Sequence, residues 1–144
     1  MAPKKNERRD PSYVREQGER EARGRKTRKI SFSLIKLVTT QGQTIDEWEK
    51  EGLLGMFLKR KQFVSQFTVQ QALQYKHIKQ YTKVDFPPDS EFVCPKHIFG
   101  VVWTVMHITS NSKEVVVGYI EDDVFYVVFL DKEHLFWPSS KKNT

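Results

Sequence analysis

Hydrophobic and polar positions divide this chain into a polar front fifth and a patterned body. The strongest pattern lies near the end, where residues 115 to 137 read VVVGYIEDDVFYVVFLDKEHLFW. Val124 to Leu130 are seven consecutive apolar residues between an acidic turn and a polar cap, and such a run has to be buried. Upstream, Gly100 to Thr109 reads as a strand that is apolar on both faces, and Ser110 to Lys113 as a turn built of turn-forming residues. Glu114 to Ile120 then runs back, so the three segments predict an antiparallel meander. With Asp122 and Asp123 as a two-residue turn, Tyr119 faces Tyr126 across the last hairpin and Gly118 faces Val127.

Ahead of the meander the pattern changes period. Ile30 to Val38 (ISFSLIKLV) alternates apolar and polar positions at first, then changes phase, which predicts a strand with a bulge near Leu34 or a far half covered on both faces. Thr44-Ile45-Asp46-Glu47 is a capping box, in which the hydroxyl accepts from the Glu47 amide and the carboxylate returns to the Thr44 amide. It opens a helix expected to reach about Lys61, with Ile45, Trp48, Leu53, Met56 and Phe57 on one side and a weak point at Gly52 and Gly55. A second box, Thr68-Val69-Gln70-Gln71, opens a short helix over Val69–His77, with Val69, Ala72 and Leu73 inward. Ile78 to Val84 suits an edge strand, on which Lys79, Tyr81 and Lys83 share a face. Phe86 to Pro95 is loop, because Pro87 and Pro88 forbid a central strand. The expected fold is therefore α+β: a strand, a two-helix hairpin, then a β-meander packed on the helices.

Charge adds a boundary. Residues 1–29 hold eleven Lys or Arg against five Asp or Glu, while residues 30–144 are balanced, so the net charge of +6 comes from the front of the chain. That segment has almost no core-forming side chains and predicts a basic, disordered tail, with a short helix over Pro11–Arg23 supported by i,i+4 pairs. The expected organisation is a tail over 1–29, one domain over 30–138 and a second tail over 139–144. A basic tail suits polyanion binding through Arg25, Lys26, Arg28 and Lys29, or simple solvation. The longest apolar runs are too short for a bilayer, where about 20 residues are needed, and no apolar segment follows the N-terminal basic residues, so a cytoplasmic protein without a membrane partner is expected.

Candidate chemistry is sparse. No glycine pattern for nucleotides occurs, one cysteine with His77, His97, His107 and His134 at no ligand spacing predicts no metal site, and no cofactor is implied. Cys94 and His97 form an i,i+3 pair without an orienting group. Glu121-Asp122-Asp123 reads as a solvated turn, and His107, between Met106 and Ile108, as a half-buried strand histidine. His134 stands out, because it follows the long strand directly beside Asp131, Lys132 and Glu133, with Trp137 three residues on. A strand end is rigidly placed yet open, which suits a general acid–base group.

The order strand, two helices, meander, then histidine and aromatic residues resembles the RelE/ParE-type toxin superfamily of small bacterial ribonucleases and their non-catalytic relatives. The resemblance covers residues 30–137 by topology. It implies an mRNA-cleaving, metal-independent endoribonuclease of a toxin–antitoxin pair, with RNA or the ribosome and a small antitoxin-like protein as partners. His134 would be the family's C-terminal histidine, Trp137 or Phe136 the aromatic near the scissile nucleotide, and Lys59, Arg60 and Lys61 helix-borne RNA contacts. The sequence departs from the family in the meander strands, which hold no arginine. GYIEDDVFYVVFLDKEHLFW separately resembles the C-terminal signature of small bacterial proteins of no assigned activity. The alternative reading is a non-enzymatic interaction module with a polyanion-binding tail, in which Phe136 and Trp137 are exposed anchors for a protein partner.

Overall fold

The computed structural model describes residues 27–138. Expectations for the helix over Pro11–Arg23, for Arg25 and Lys26 as RNA contacts, and for 139–144 lie outside the described residues. Five strands, β1 (Ser31–Ser33), β2 (Lys79–Tyr81), β3 (Trp103–His107), β4 (Val115–Glu121) and β5 (Val124–Asp131), form one sheet in the order β1-β5-β4-β3-β2. The meander is antiparallel and β1 lies parallel to β5, which makes the sheet mixed and the fold α+β. Three short helices, α1 (Ile45–Lys50), α2 (Leu53–Val64) and α3 (Val69–Gln74), connect β1 to β2.

The last hairpin has the expected register. Glu121 pairs with Val124 around Asp122-Asp123, Tyr119 lies opposite Tyr126 and Gly118 opposite Val127. Asp122 takes a left-handed φ of 57°, which a two-residue turn between twisted strands requires. Beyond Gly118 the register shifts, and Val128 is the extra residue of a bulge. A Cβ on Gly118 would sit 1.8 Å from the Tyr126 carbonyl oxygen, so this position needs glycine. The bulge also explains the apolar run. Phe125, Val127 and Leu130 face the helices, while Val128 and Phe129 both face the other side.

Three expectations are corrected. The first strand ends at Ser33, and the phase change behind it is a turn, closed by the Leu37 amide on the Leu34 carbonyl at 3.0 Å. Ile35 is 80% exposed at its tip, and Val38 rejoins β5 by donating to Val128, the bulge residue. The first predicted helix is two helices, because Gly52 takes a left-handed φ of 75° and breaks it. Ile45 is exposed, while Trp48, Leu53 and Phe57 are buried. Both capping boxes are present. The helix opened by Thr68 ends at Gln74, earlier than expected, and Lys76 turns left-handed at φ 62°.

Both sheet faces are covered. Trp48, Phe57, Val64 and Ala72 pack on Met106, Val116, Phe125, Val127 and Leu130. On the other face Phe92, Ile98 and Phe136 pack on Trp103, Val105, Val117 and Phe129, with no helix or strand between β2 and β3 to supply the cover. That long loop is tied down by polar groups: the Gln41 side-chain amide pairs with both backbone groups of Val93, at 2.7 and 2.9 Å. No helix among the described residues is long and apolar enough to cross a membrane.

Candidate functional site

The meander register brings chemistry together at one end of the sheet. His107 ends β3 opposite Val115, and Val115 lies opposite Asp131, the last residue of β5. His134 follows three residues later, and its ring centroid lies 5.4 Å from that of His107. Both histidines line an open cleft of about 850 Å³ together with Lys76, Lys79, Tyr81 and Lys113.

Asp131 builds the loop that holds His134. Its carboxylate is buried and accepts from the Leu135 amide at 2.9 Å and the Phe136 amide at 2.8 Å. In the same turn His134 takes a φ of 59°, a left-handed conformation uncommon outside glycine, although Asn, Asp and His adopt it more readily than other side chains. Burial pushes the Asp131 carboxyl above its usual range, and the two backbone bonds oppose that shift without cancelling it. Gln43 anchors the same segment from the helical side. Its Oε1 accepts from the Lys132 amide at 2.7 Å and from the Trp48 indole at 3.0 Å. Phe136, buried in the aromatic cluster, fixes the far end of the loop.

Each histidine is oriented by a carbonyl. His134 Nδ1 lies 2.9 Å from the Trp137 oxygen, and His107 Nδ1 lies 3.1 Å from the Ser112 oxygen. A carbonyl only accepts, so each Nδ1 carries a proton and each Nε2 is left for a ligand or a reacting proton. Partial burial holds His107 below the usual imidazole range, and the neighbouring His134, Arg60 and Lys79 act in the same direction. Among the cleft lysines, Lys113 is paired with Glu133 at 2.5 Å, and each partner favours the other's charged form. Lys76 and Lys79 have no carboxylate partner among the described residues. A cleft with unneutralised ammonium groups and two available imidazole nitrogens can bind an anion and move a proton on it.

The other expected site residues lie elsewhere. Phe136 is a core residue at 1% exposure, which corrects its reading as an exposed anchor. Trp137 stacks on Tyr81 at 4.6 Å and 8°, and lines a shallow neighbouring groove of about 290 Å³. Lys79 lies over the same tyrosine ring at 5.2 Å. Lys59, Arg60 and Lys61 lie at different places on α2. Lys61 lies over the Phe32 and Phe57 rings, while Lys59 and Arg60 border a separate depression with Met56 and Phe63. Arg60 alone reaches the site, through its charge on His107. Arg28 pairs with Asp123 at 3.3 Å, beside the hairpin turn, and Lys29 bridges Thr68. Cys94 donates to the Ile98 carbonyl, and burial pushes its thiol up, while His97 is exposed.

The cleft brings His134 together with His107, Lys76 and Lys113, which the sequence reading did not join to it. The missed signal was the register of β3 on β4, which the Ser110–Lys113 turn leaves open at the level of residue types. Neither protein-family models, curated proteins nor solved structures match the chain.

Proposed function

We propose that this protein acts on RNA at the cleft around His134, as a toxin-like, metal-independent endoribonuclease of the cytoplasm. RNA, free or on the ribosome, is its substrate, and a small antitoxin-like protein is the cover for the meander end. One observation carries the reading: His134, held at a strained backbone position with Nε2 uncommitted, lines the same open cleft as Lys76 and Lys79. Strain kept at a polar residue in an open cleft supports a site rather than a packing role. The lysines replace the meander arginines that related ribonucleases would use, and the Tyr81–Trp137 stack gives a base a ring system to lie against.

Induced expression is expected to arrest growth, with relief by His134→Ala. Purified protein should shorten RNA, and His134→Ala should slow cleavage by about 10²–10⁴-fold, the usual range for a proton-transfer group. Replacing Lys76 and Lys79 together by Ala should weaken RNA binding and flatten its salt dependence, by about 0.7 in slope for each phosphate that is no longer neutralised. Harmless expression with intact RNA would end this reading. A non-enzymatic interaction module would then stand on a different observation, the exposure of Phe99 at 81% and Val93 at 72% on the loop before β3.

A further inference from the structure

We propose that the depression between α2 and the end of β3 binds a small carboxylic acid with an apolar body, held by Arg60. The site lies outside the histidine cleft and stands whether or not RNA is the substrate there. Its lining follows from helix spacing. Met56, Lys59, Arg60 and Phe63 stand at i, i+3, i+4 and i+7 on α2, so they share one face. Ile108 and Thr109, just past β3, form the opposite wall, and the space between is about 270 Å³. Pockets for drug-sized ligands start at about 300 Å³, so the occupant is small.

Arg60 carries the assignment. The residue is half-buried, and its Nε is buried without a hydrogen-bond partner. No carboxylate pairs with its guanidinium among the described residues. A cation partly withdrawn from water with no anion beside it is costly, and an anion at its open edge offsets part of that cost. The guanidinium carbon lies 5.2 Å from the Phe63 ring centroid, which supports the group from one side. Its planar fork matches a carboxylate through two parallel N–H bonds. Lys59 adds an ammonium that has no carboxylate partner among the described residues either. The Thr109 hydroxyl pairs with that of Ser112, and with Ser112 as donor Thr109 keeps its own hydrogen for the acid. Met56, Phe63 and Ile108 line the rest, and only an apolar body covers them. Two imidazoles report on occupancy. Partial burial and, behind it, the Arg60 charge hold His77 and His107 below the usual imidazole range. An anion on Arg60 weakens that second influence at both rings.

The test titrates the full chain with benzoate at constant ionic strength, with benzamide as the neutral analogue and inorganic phosphate as the bare anion. Benzoate should saturate with a Kd of about 1 mM, as befits a ligand of so few atoms in an open site. The His77 and His107 resonances should move together along that curve, while those of His97, on the loop of the opposite face, stay in place. Arg60→Gln should melt close to the wild type and bind benzoate about 10-fold more weakly or less still. Lys59→Gln and Thr109→Val should each weaken binding by about 2- to 10-fold, and they keep the test open should Arg60→Gln fail to fold. Benzamide or phosphate that binds as tightly as benzoate overturns the proposal. So does benzoate binding that survives Arg60→Gln, which would place the acid on Lys76 and Lys79 in the cleft, or that is unchanged by both Lys59→Gln and Thr109→Val.

Discussion

The two faces of the sheet are covered by different means, and the candidate site depends on the less regular one. On one face the cover is helical: two capping boxes start helices whose apolar side chains fall at helical spacing against Met106, Val116 and Phe125. On the other face residues 82–102 have no repeating structure, yet Phe92 and Ile98 reach the sheet beside Phe136. Ring contacts knit that face together. Phe136 lies within 6.4 Å of five other rings, those of Tyr81, Phe86, Phe92, Trp103 and Phe129. The difference teaches that the helical cover is a support, whereas the irregular cover also sets a loop. Phe136 is two residues from His134, so packing and site geometry are linked there.

The largest expected effect separates the faces directly. Phe136→Ala and Phe57→Ala each remove a buried ring and should each cost about 3–5 kcal/mol in urea unfolding. Only the first should also displace the His134 imidazole resonances in the NMR spectrum, because Phe57 packs on the opposite, helical face of the sheet. Equal displacement by both variants would show that the loop is not set by its own face.

How much of this was legible follows the same division. The hairpin register, both capping boxes and the burial of Trp48 and Phe57 could be read, because each depends on neighbours within a few residues. The break at Gly52 was visible as a weak point, but its left-handed φ depends on how α1 and α2 meet the sheet. The irregular cover could not be read, since Phe86, Phe92 and Ile98 have no period and prolines hid their role. His134 was legible as a strand-end histidine. His107 was not, because its meeting with His134 needs the registers of three strands at once. The buried Asp131 carboxylate looked like one of the two acids beside His134, and only its two backbone bonds reveal its work.

Asp131 gives a test of intermediate size at the junction of the two covers. Asp131→Ala leaves two amides without an acceptor and should cost about 1–3 kcal/mol, while Asp131→Asn retains one acceptor and should cost less. The pH dependence has a definite sign. Burial raises the folded carboxyl above the unfolded value of 3.8, so between the two the folded state binds more protons than the unfolded. This group's contribution to stability therefore falls as pH rises through that window and is constant above the folded value. Urea melts of wild type and Asp131→Asn across the acid range should show that slope in their difference. A difference that is flat, or that rises with pH, would mean the backbone bonds outweigh burial.

The smallest effect probes the helical cover at its joint. Gly52 sits at φ 75° between α1 and α2, and a Cβ there would meet nothing within 4 Å. Sterics with neighbours are thus removed from the problem, and only the backbone preference remains. A left-handed residue costs about 1–2 kcal/mol, and the loss of glycine's freedom in the unfolded chain returns about 0.4–1 kcal/mol. Gly52→Ala should therefore lower stability by about 1 kcal/mol or less, and Gly52→Asn by less still, since asparagine tolerates this region. Neither should move the His107 or His134 resonances. A loss as large as that of Phe136→Ala would mean that α1 and α2 do not tolerate a change at their joint, and the helical cover would then be as tightly coupled as the irregular one.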